Sequence, residues 1–366
     1  MNTFQKAQQI IASLMALFAL YSFIFYEFSN SFIFILTLIA LLGVVRIFYD
    51  YLSHGVFDFL FSIIGMVLLT ISVYGSPSYG FWPLLISVWL YGWMAVEKIT
   101  HEENMSPFFK KIFFIVVPVF FGAWILFTWE VITTGLNVPM VILPSPSLIS
   151  LKFVDSLDTL WADFVQTFVK AALSGYLIGC GSAFIVAIMI DKSLFLRRGL
   201  LPIGNFISAI PIVGIAPIMI MWFGFDWHSK AAVVVIMTFF PMLVNTVTGL
   251  SVTNPIERDL LKTYASSYTQ SLILMRLPAA APFIFNALKI NSTLALIGAI
   301  IAEFFGSPTV GLGFRISVEV GRLNLDMVWA EIAVAALVGS ASYGVISFIE
   351  KKLTFWHPSN RRKLEN

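Results

Sequence analysis

Residues 112–132 read IFFIVVPVFFGAWILFTWEVI, a run with one charged side chain, Glu130. An α-helix rises about 1.5 Å per residue, so a stretch of this length crosses the hydrocarbon core of a bilayer, which takes about 20 apolar residues. Backbone N–H and C=O groups find no water there, and only a helix or a closed barrel satisfies them internally. This run therefore predicts a transmembrane helix.

The same criterion, carried outward, predicts about ten spans. They are 9–28, 31–49, 55–75 and 80–97, then 112–132, 165–190, 200–223, 231–252, 281–302 and 328–349. Composition agrees. The 366 residues are 59% hydrophobic and 11% charged, against about 25% charged for a soluble domain. The expected fold is all-α, a polytopic membrane helix bundle. A net charge of +2 without a basic, aromatic-interleaved stripe gives no reason to expect a nucleic-acid partner. Cys180 is the single cysteine, so no internal disulfide forms, and packing is its expected role. Lys6 precedes the first apolar run as in a signal peptide, but Ile10 to Phe28 is long and no small-residue cleavage site follows. A retained helix is expected.

Basic residues orient the bundle. With ten crossings, Lys6, Arg46, Lys98, Lys110, Lys111, Lys192, Arg197, Arg198, Arg258, Lys262 and Arg276 share one side. Lys351, Lys352, Arg361, Arg362 and Lys363 join them, and Lys152, Lys230, Arg315 and Arg322 fall opposite. Both termini are therefore expected in the cytoplasm. The polar segment 98–111, KITHEENMSPFFKK, separates four N-terminal spans within residues 1–100 from six later ones. After Pro144 and Pro146, Phe153, Leu157, Leu160, Trp161 and Phe164 recur at helical spacing. They predict a short helix on the outer membrane surface, or else an extension of the next span.

One loop on the positive side carries a distinctive pattern: residues 254–282, NPIERDLLKTYASSYTQSLILMRLPAAAP. Asn254 can cap a helix, Pro255 suits its first position, and Glu257 sits three residues after the cap. Leu260, Tyr264, Tyr268 and Leu272 repeat every four residues, which predicts one amphipathic helix closed by Pro278. An apolar face on such a loop is covered by its own protein or by a partner.

This loop resembles the coupling (EAA) loop of permease subunits of ATP-binding-cassette importers. That frame runs Glu-Ala-Ala, a spacer, a glycine and a closing Leu-Pro. Leu277 and Pro278 match the closing pair, whereas Ala265 stands where the family usually has glycine, and Asp259-Leu260-Leu261 replaces Glu-Ala-Ala. The resemblance extends over residues 112–357. It includes LPSPSLI at 143–149, the run from PIVGIAPIM to VTGL at 211–250, FNALKINSTLALIGAIIAEFFGSPTVGLGF at 285–314 and TFWHP at 354–358. The series is similar to the branch serving nitrate, sulfonates, taurine and pyrimidine-type vitamin precursors. The resemblance implies a six-helix importer-permease core on the C-terminal side, coupling loop 254–280 included. It further implies a second permease copy, a cytoplasmic ATPase subunit, a periplasmic binding protein that delivers the solute, and a place in a bacterial inner membrane.

On that resemblance, Glu257, Asp259, Lys262, Tyr264, Ala265, Ser266, Tyr268, Gln270, Leu277 and Pro278 are the candidates for contact with the ATPase; a solvated loop helix is the plain alternative. Asn286, Lys289, Asn291, Ser292 and Thr293 make the ninth span unusually polar, which fits either a translocation path or interhelical hydrogen bonding. Lys289 either marks function at depth or snorkels. Glu303, at the outer end, is expected to meet water or line a vestibule. Gly175 and Gly179 form a close-packing pair, Pro202, Pro211 and Pro217 kink the seventh span, and Gly311 and Gly313 form an outer turn.

Neither Lys192-Ser193 nor Lys262-Thr263 is preceded by the glycine of a phosphate-binding GxxxxGK[ST] loop. No GxSxG elbow and no metal-ligand spacing among His54, His101, His228 and His357 is present, so no enzyme activity and no cofactor are expected. An ion-coupled secondary transporter, working without an ATPase, is the alternative; it predicts ionisable pairs at mid-membrane depth and inverted repeats.

Overall fold

The computed structural model describes residues 3–26, 31–48, 55–75, 79–101, 107–208 and 210–356, together with Pro77. All secondary structure among them is helical. His54, His357, Arg361, Arg362, Lys363 and residues 102–106 of the polar segment lie outside the described residues. The chain forms two compact units, residues 1–148 and 149–366.

The first unit is built from α1 (Thr3–Tyr26), α2 (Ser31–Phe48), α3 (Gly55–Val73), α4 (Phe81–His101) and α5 (Pro107–Gly135). Ala12, Ala16 and Ala19 lie at helical spacing on α1 and are fully buried. This stripe of small side chains lets the neighbouring helices approach closely. Glu130, the one acid of the 112–132 run, is fully engaged. It accepts the Tyr74 hydroxyl at 2.6 Å and both the backbone N–H and hydroxyl of Ser147 at 2.8 Å. A buried Asp58 pairs with Lys98 at 2.9 Å.

Helix α6 (Pro146–Asp155) carries the chain across the boundary at residue 149, and the second unit goes on with α7 (Leu157–Phe164), then a π-helical segment Val165–Ala172, α8 (Leu173–Lys192), α9 (Leu194–Ser208) and α10 (Ile212–Phe223). It continues with α11 (Trp227–Ser251), α12 (Pro255–Thr263), α13 (Tyr268–Ser271), a second π segment Leu272–Arg276, α14 (Leu277–Phe304), α15 (Leu312–Gly321) and α16 (Leu325–Leu353). Helix α11 is central and packs against both α8 and α14. The glycine pair on α8 makes this possible. A methyl on Gly175 would lie 2.6 Å from the Ala231 carbonyl oxygen, and one on Gly179 would lie 2.2 Å from Thr238 Oγ1.

Among the described residues, six helices are long and apolar enough to cross a membrane: Phe4–Tyr26, Lys111–Gly135, Leu157–Lys192, Trp227–Ser251, Tyr268–Phe304 and Leu325–Leu353. Shorter apolar helices occupy Ser31–Val45, Asp58–Val73 and Ile212–Phe223. The expected span at 200–223 is two helices, α9 and α10, because Pro211 stands in extended conformation and restarts the chain as the cap of α10. The amphipathic stretch before residue 165 is not a separate surface helix. From Leu157 onward it runs without interruption into α8, and Leu160, with Phe153 and Phe164 beside it, packs onto Leu296, Leu312 and Met327. That side of the stripe belongs to the core of the second unit, while Leu157 and Trp161 stay exposed.

Candidate functional site

The residues of 254–282 do not form one helix. Helix α12 starts as its sequence dictates, with Asn254 Oδ1 accepting the Ile256 N–H at 3.0 Å and Pro255 in the first turn. It stops at Thr263. The Ser266 N–H bonds back to the Leu261 carbonyl at 3.0 Å, and Ala265 takes φ +49°. This is the left-handed C′ position of a helix-ending Schellman turn, where glycine is the usual residue because it has no Cβ. Ala265 therefore carries backbone strain at the position where the importer frame has its glycine. Ala265→Gly is expected to slow amide hydrogen exchange in α12 by a factor on the order of 5, as relief of about 1 kcal/mol would give. Exchange that stays the same or quickens would contradict the strain.

A second helix restarts at Ser267, whose hydroxyl accepts the Gln270 N–H at 3.3 Å while Gln270 Oε1 accepts the Ser267 N–H at 2.8 Å. Pro278 does not close this helix. The widened turn Leu272–Arg276 lies just before it, where the proline ring would otherwise meet the carbonyl of the preceding turn, and α14 continues through it.

The break separates the candidate residues into two groups. On α12, Ile256 (76% exposed), Leu260 (56%) and Tyr264 (77%) present one outward apolar face. Glu257, Asp259, Lys262 and Ala265 are exposed around it, and Asp259 pairs with Lys262 at 3.1 Å. Ser266 is half-buried. Ile256 completes this face and escaped the four-residue stripe read from the sequence. Arg258 ties α12 to the end of α11, donating to Thr253 Oγ1 at 2.6 Å and to the Ser251 carbonyl at 2.8 Å.

The other group turns inward except for Gln270, which is exposed and engaged in the capping box. Leu272 is buried with Leu250 and Ala280, with Leu277 packed beside them, and Pro278 is half-buried. Tyr268 donates its hydroxyl to Asp191 Oδ2 at 2.8 Å. Arg276 grips the same carboxylate with both terminal nitrogens, one at 2.6 Å, and also donates to the Leu250 carbonyl at 3.0 and 3.2 Å.

The five polar residues of α14 named as path candidates are not brought to one place. Asn286 is exposed. Lys289 does not stand free: its Nζ pairs with Glu350 of α16 at 2.8 Å. Asn291 is fully buried and donates to the Thr238 carbonyl at 2.8 Å and to Cys180 Sγ at 3.3 Å, tying α14 to α11 and α8. Ser292 lines a groove of about 430 Å3 with Phe168, Tyr176 and Ser342.

Glu303, expected to meet water, is 3% exposed. It accepts the Thr167 hydroxyl at 2.8 and 3.0 Å and the Gly313 N–H at 2.7 Å. Gly311, at φ +135°, brings the 311–313 backbone against this carboxylate, and a methyl there would lie 2.6 Å from Glu303 Oε1. Beside it the fully buried Asp163 accepts the Gly311 N–H at 2.6 Å and Arg315 Nε at 2.8 Å, with Glu331 adjacent. The Asp163 hydrogen bond pushes the Arg315 guanidinium still further above its ordinary value. Lys230 donates to the Phe225 and Asp226 carbonyls, and Arg322 pairs with Glu319 at 3.0 Å. Three of the cations that broke the charge bias are thus engaged locally.

Comparison with known proteins gives this architecture a lineage. The profile described as binding-protein-dependent transport system inner membrane component matches residues 175–355. The riboflavin transport system permease protein RibX of Chloroflexus aurantiacus is 31% identical over 240 residues, 64% of this chain and 88% of the relative. The formylaminopyrimidine transport permease protein ThiX of Halalkalibacterium halodurans is 29% identical over 251 residues, 68% of this chain and 98% of the relative. A probable ABC transporter permease protein of Haemophilus influenzae is 29% identical over 235 residues, 64% of this chain and 95% of the relative. These alignments take in nearly the whole of each relative and leave about a third of this chain outside. With its multi-pass helical architecture, this chain belongs to the inner membrane components of binding-protein-dependent transport systems, the permeases of ABC importers.

Proposed function

We propose that this chain forms the translocation path of an ATP-driven importer in a bacterial inner membrane, with both termini in the cytoplasm. Its solute is small, of the nitrate, sulfonate, taurine or pyrimidine-precursor type. The name of the ThiX relative favours the pyrimidine type. A binding protein delivers the solute from outside, a second copy of the chain completes the path, and ATP is hydrolysed on a partner subunit. Residues 112–357 are assigned the transport work and residues 1–100 an N-terminal membrane extension that widens the lateral packing surface.

The observation that carries this reading is the outward apolar face of α12, Ile256, Leu260 and Tyr264, on a helix held to α11 by Arg258. Exposed apolar surface on a capped, anchored helix suits helix-in-groove recognition by a partner. The ATPase contact is therefore assigned to this face, flanked by Glu257, Asp259, Lys262, Ala265 and Ser266. Leu277 and Pro278 support it from behind, and Gln270 caps the restarted helix.

Tyr264→Asp tests the assignment. Burying an unpaired carboxylate at a central contact is expected to weaken co-purification with the ATPase by about 30-fold, the effect of about 2 kcal/mol at an interface hot spot. Retention equal to wild type, with normal membrane insertion, would remove the dock from this face.

A further inference from the structure

The clamp formed by Asp191, Arg276 and Tyr268 lies between the outward face of α12 and the spans. Asp191 is in the last turn of α8, and Leu250 is in the last turn of α11. Arg276 sits at the junction of the π segment with α14. One guanidinium therefore joins three helix ends. The planar fork binds the carboxylate with two parallel donors, and its remaining contacts reach the Leu250 carbonyl. Side-chain exposure is 15% for Arg276 and 6% for Asp191, so the pair is shielded from solvent screening. Tyr268 adds its hydroxyl to the same carboxylate from the first turn of the restarted helix. Leu272 and Leu250 are buried directly beside the clamp. On the other side, Arg258 fastens α12 to Thr253 and Ser251, immediately after Leu250.

Each end of the coupling segment is thus fastened to the same corner of the second unit. A displacement of α12 reaches α11 through Arg258, and it reaches α8 directly through segment 268–276. Packing alone would let these helices slide, whereas a bidentate ion pair is directional and holds one geometry.

We infer that the Asp191–Arg276 pair, oriented by Tyr268, is the joint that passes motion of the coupling segment to α8 and α11 together. These are positioning residues, and the inference rests on the importer reading above. Without the pair, the ATPase still docks and turns over, but its cycle no longer drives the path.

The test uses the complete transporter, this chain with its ATPase and binding protein, in proteoliposomes. Solute uptake and ATP hydrolysis are measured together. Asp191→Asn and Arg276→Gln are expected to keep the ATPase bound and its basal hydrolysis near wild type. Uptake per ATP should fall by about tenfold, within the range of coupling between sites in allosteric proteins. The charge reversal, Asp191→Arg with Arg276→Asp, should recover part of that ratio. Should Asp191→Asn fail to insert, Arg276→Lys, which keeps the charge but not the fork, carries the same measurement. An unchanged ratio in the inserted variants overturns the joint, as does loss of ATPase binding in parallel with uptake, which marks a merely structural pair. Wild-type chain that fails to retain the ATPase overturns the importer reading instead, so the two failures are distinct.

Discussion

Arg315→Leu should destabilise the protein by about 3 to 5 kcal/mol, the cost of breaking a buried ion pair from one side. Asp163 is fully buried, and Arg315 is the cation that meets it, at 2.8 Å. Without the guanidinium, the carboxylate keeps the Gly311 N–H, but Glu331 remains close both to it and to Glu303. The side chain of Arg315 is 22% exposed, which places the effect toward the lower end of the range. Thermal unfolding in detergent reads it as a drop on the order of 10 °C. The double variant Asp163→Asn with Arg315→Leu should recover much of the loss, because no buried charge is then left alone. If Arg315→Leu melts with the wild type, the cluster does not hold this end of the second unit together.

Gly179→Leu should be nearly as damaging, for a steric reason. Even a methyl at this position would stand 2.2 Å from Thr238 Oγ1 and 3.0 Å from the Val235 carbonyl oxygen. Overpacking of this kind costs about 1 to 3 kcal/mol, and leucine adds more atoms than the gap between α8 and α11 can take. The same layer holds Asn291, whose bonds to the Thr238 carbonyl and Cys180 depend on that close approach. Gly181 is the control on the same helix, because nothing lies within 4 Å of a methyl placed there. Gly181→Leu should be tolerated, within about 0.5 kcal/mol of wild type. Equal melting temperatures for the two leucine variants would show that α8 and α11 are not in the contact described.

That the chain is a helical membrane bundle was legible because this depends on composition and run length; of the ten expected spans, six stand among the described residues as helices long and apolar enough to cross. The start of α12 was legible for a similar reason: Asn254 and Pro255 are local signals, and both act as expected. Its end was not. The turn at Ala265 lacks the glycine that would announce it, and Leu260, Tyr264, Tyr268 and Leu272 keep a four-residue period across a break that reverses which of them face outward. Ion pairs and buried carboxylates were hidden by distance. Asp191 meets Arg276 across 85 positions and Thr167 meets Glu303 across 136, and no local pattern marks either pair. The partners of Glu303 and Asp163 include backbone N–H groups of Gly311 and Gly313, which every residue but proline has, so residue identity gave no warning of them.

The π-helical segment Val165–Ala172 stands between Asp163 and the glycine pair of α8. A π turn holds one residue more than an α turn, and each residue of an α-helix turns the chain by about 100°. The face that carries Asp163 and the face that carries Gly175 and Gly179 are therefore set out of phase along what is otherwise one rod. Were these same residues wound as plain α-helix, each would turn the chain further and one face would rotate against the other. The chain could then seat Asp163 beside Gly311 or seat the glycines against α11, but not both. The length of this segment is as much a part of the fold's specification as the residues at either end of it.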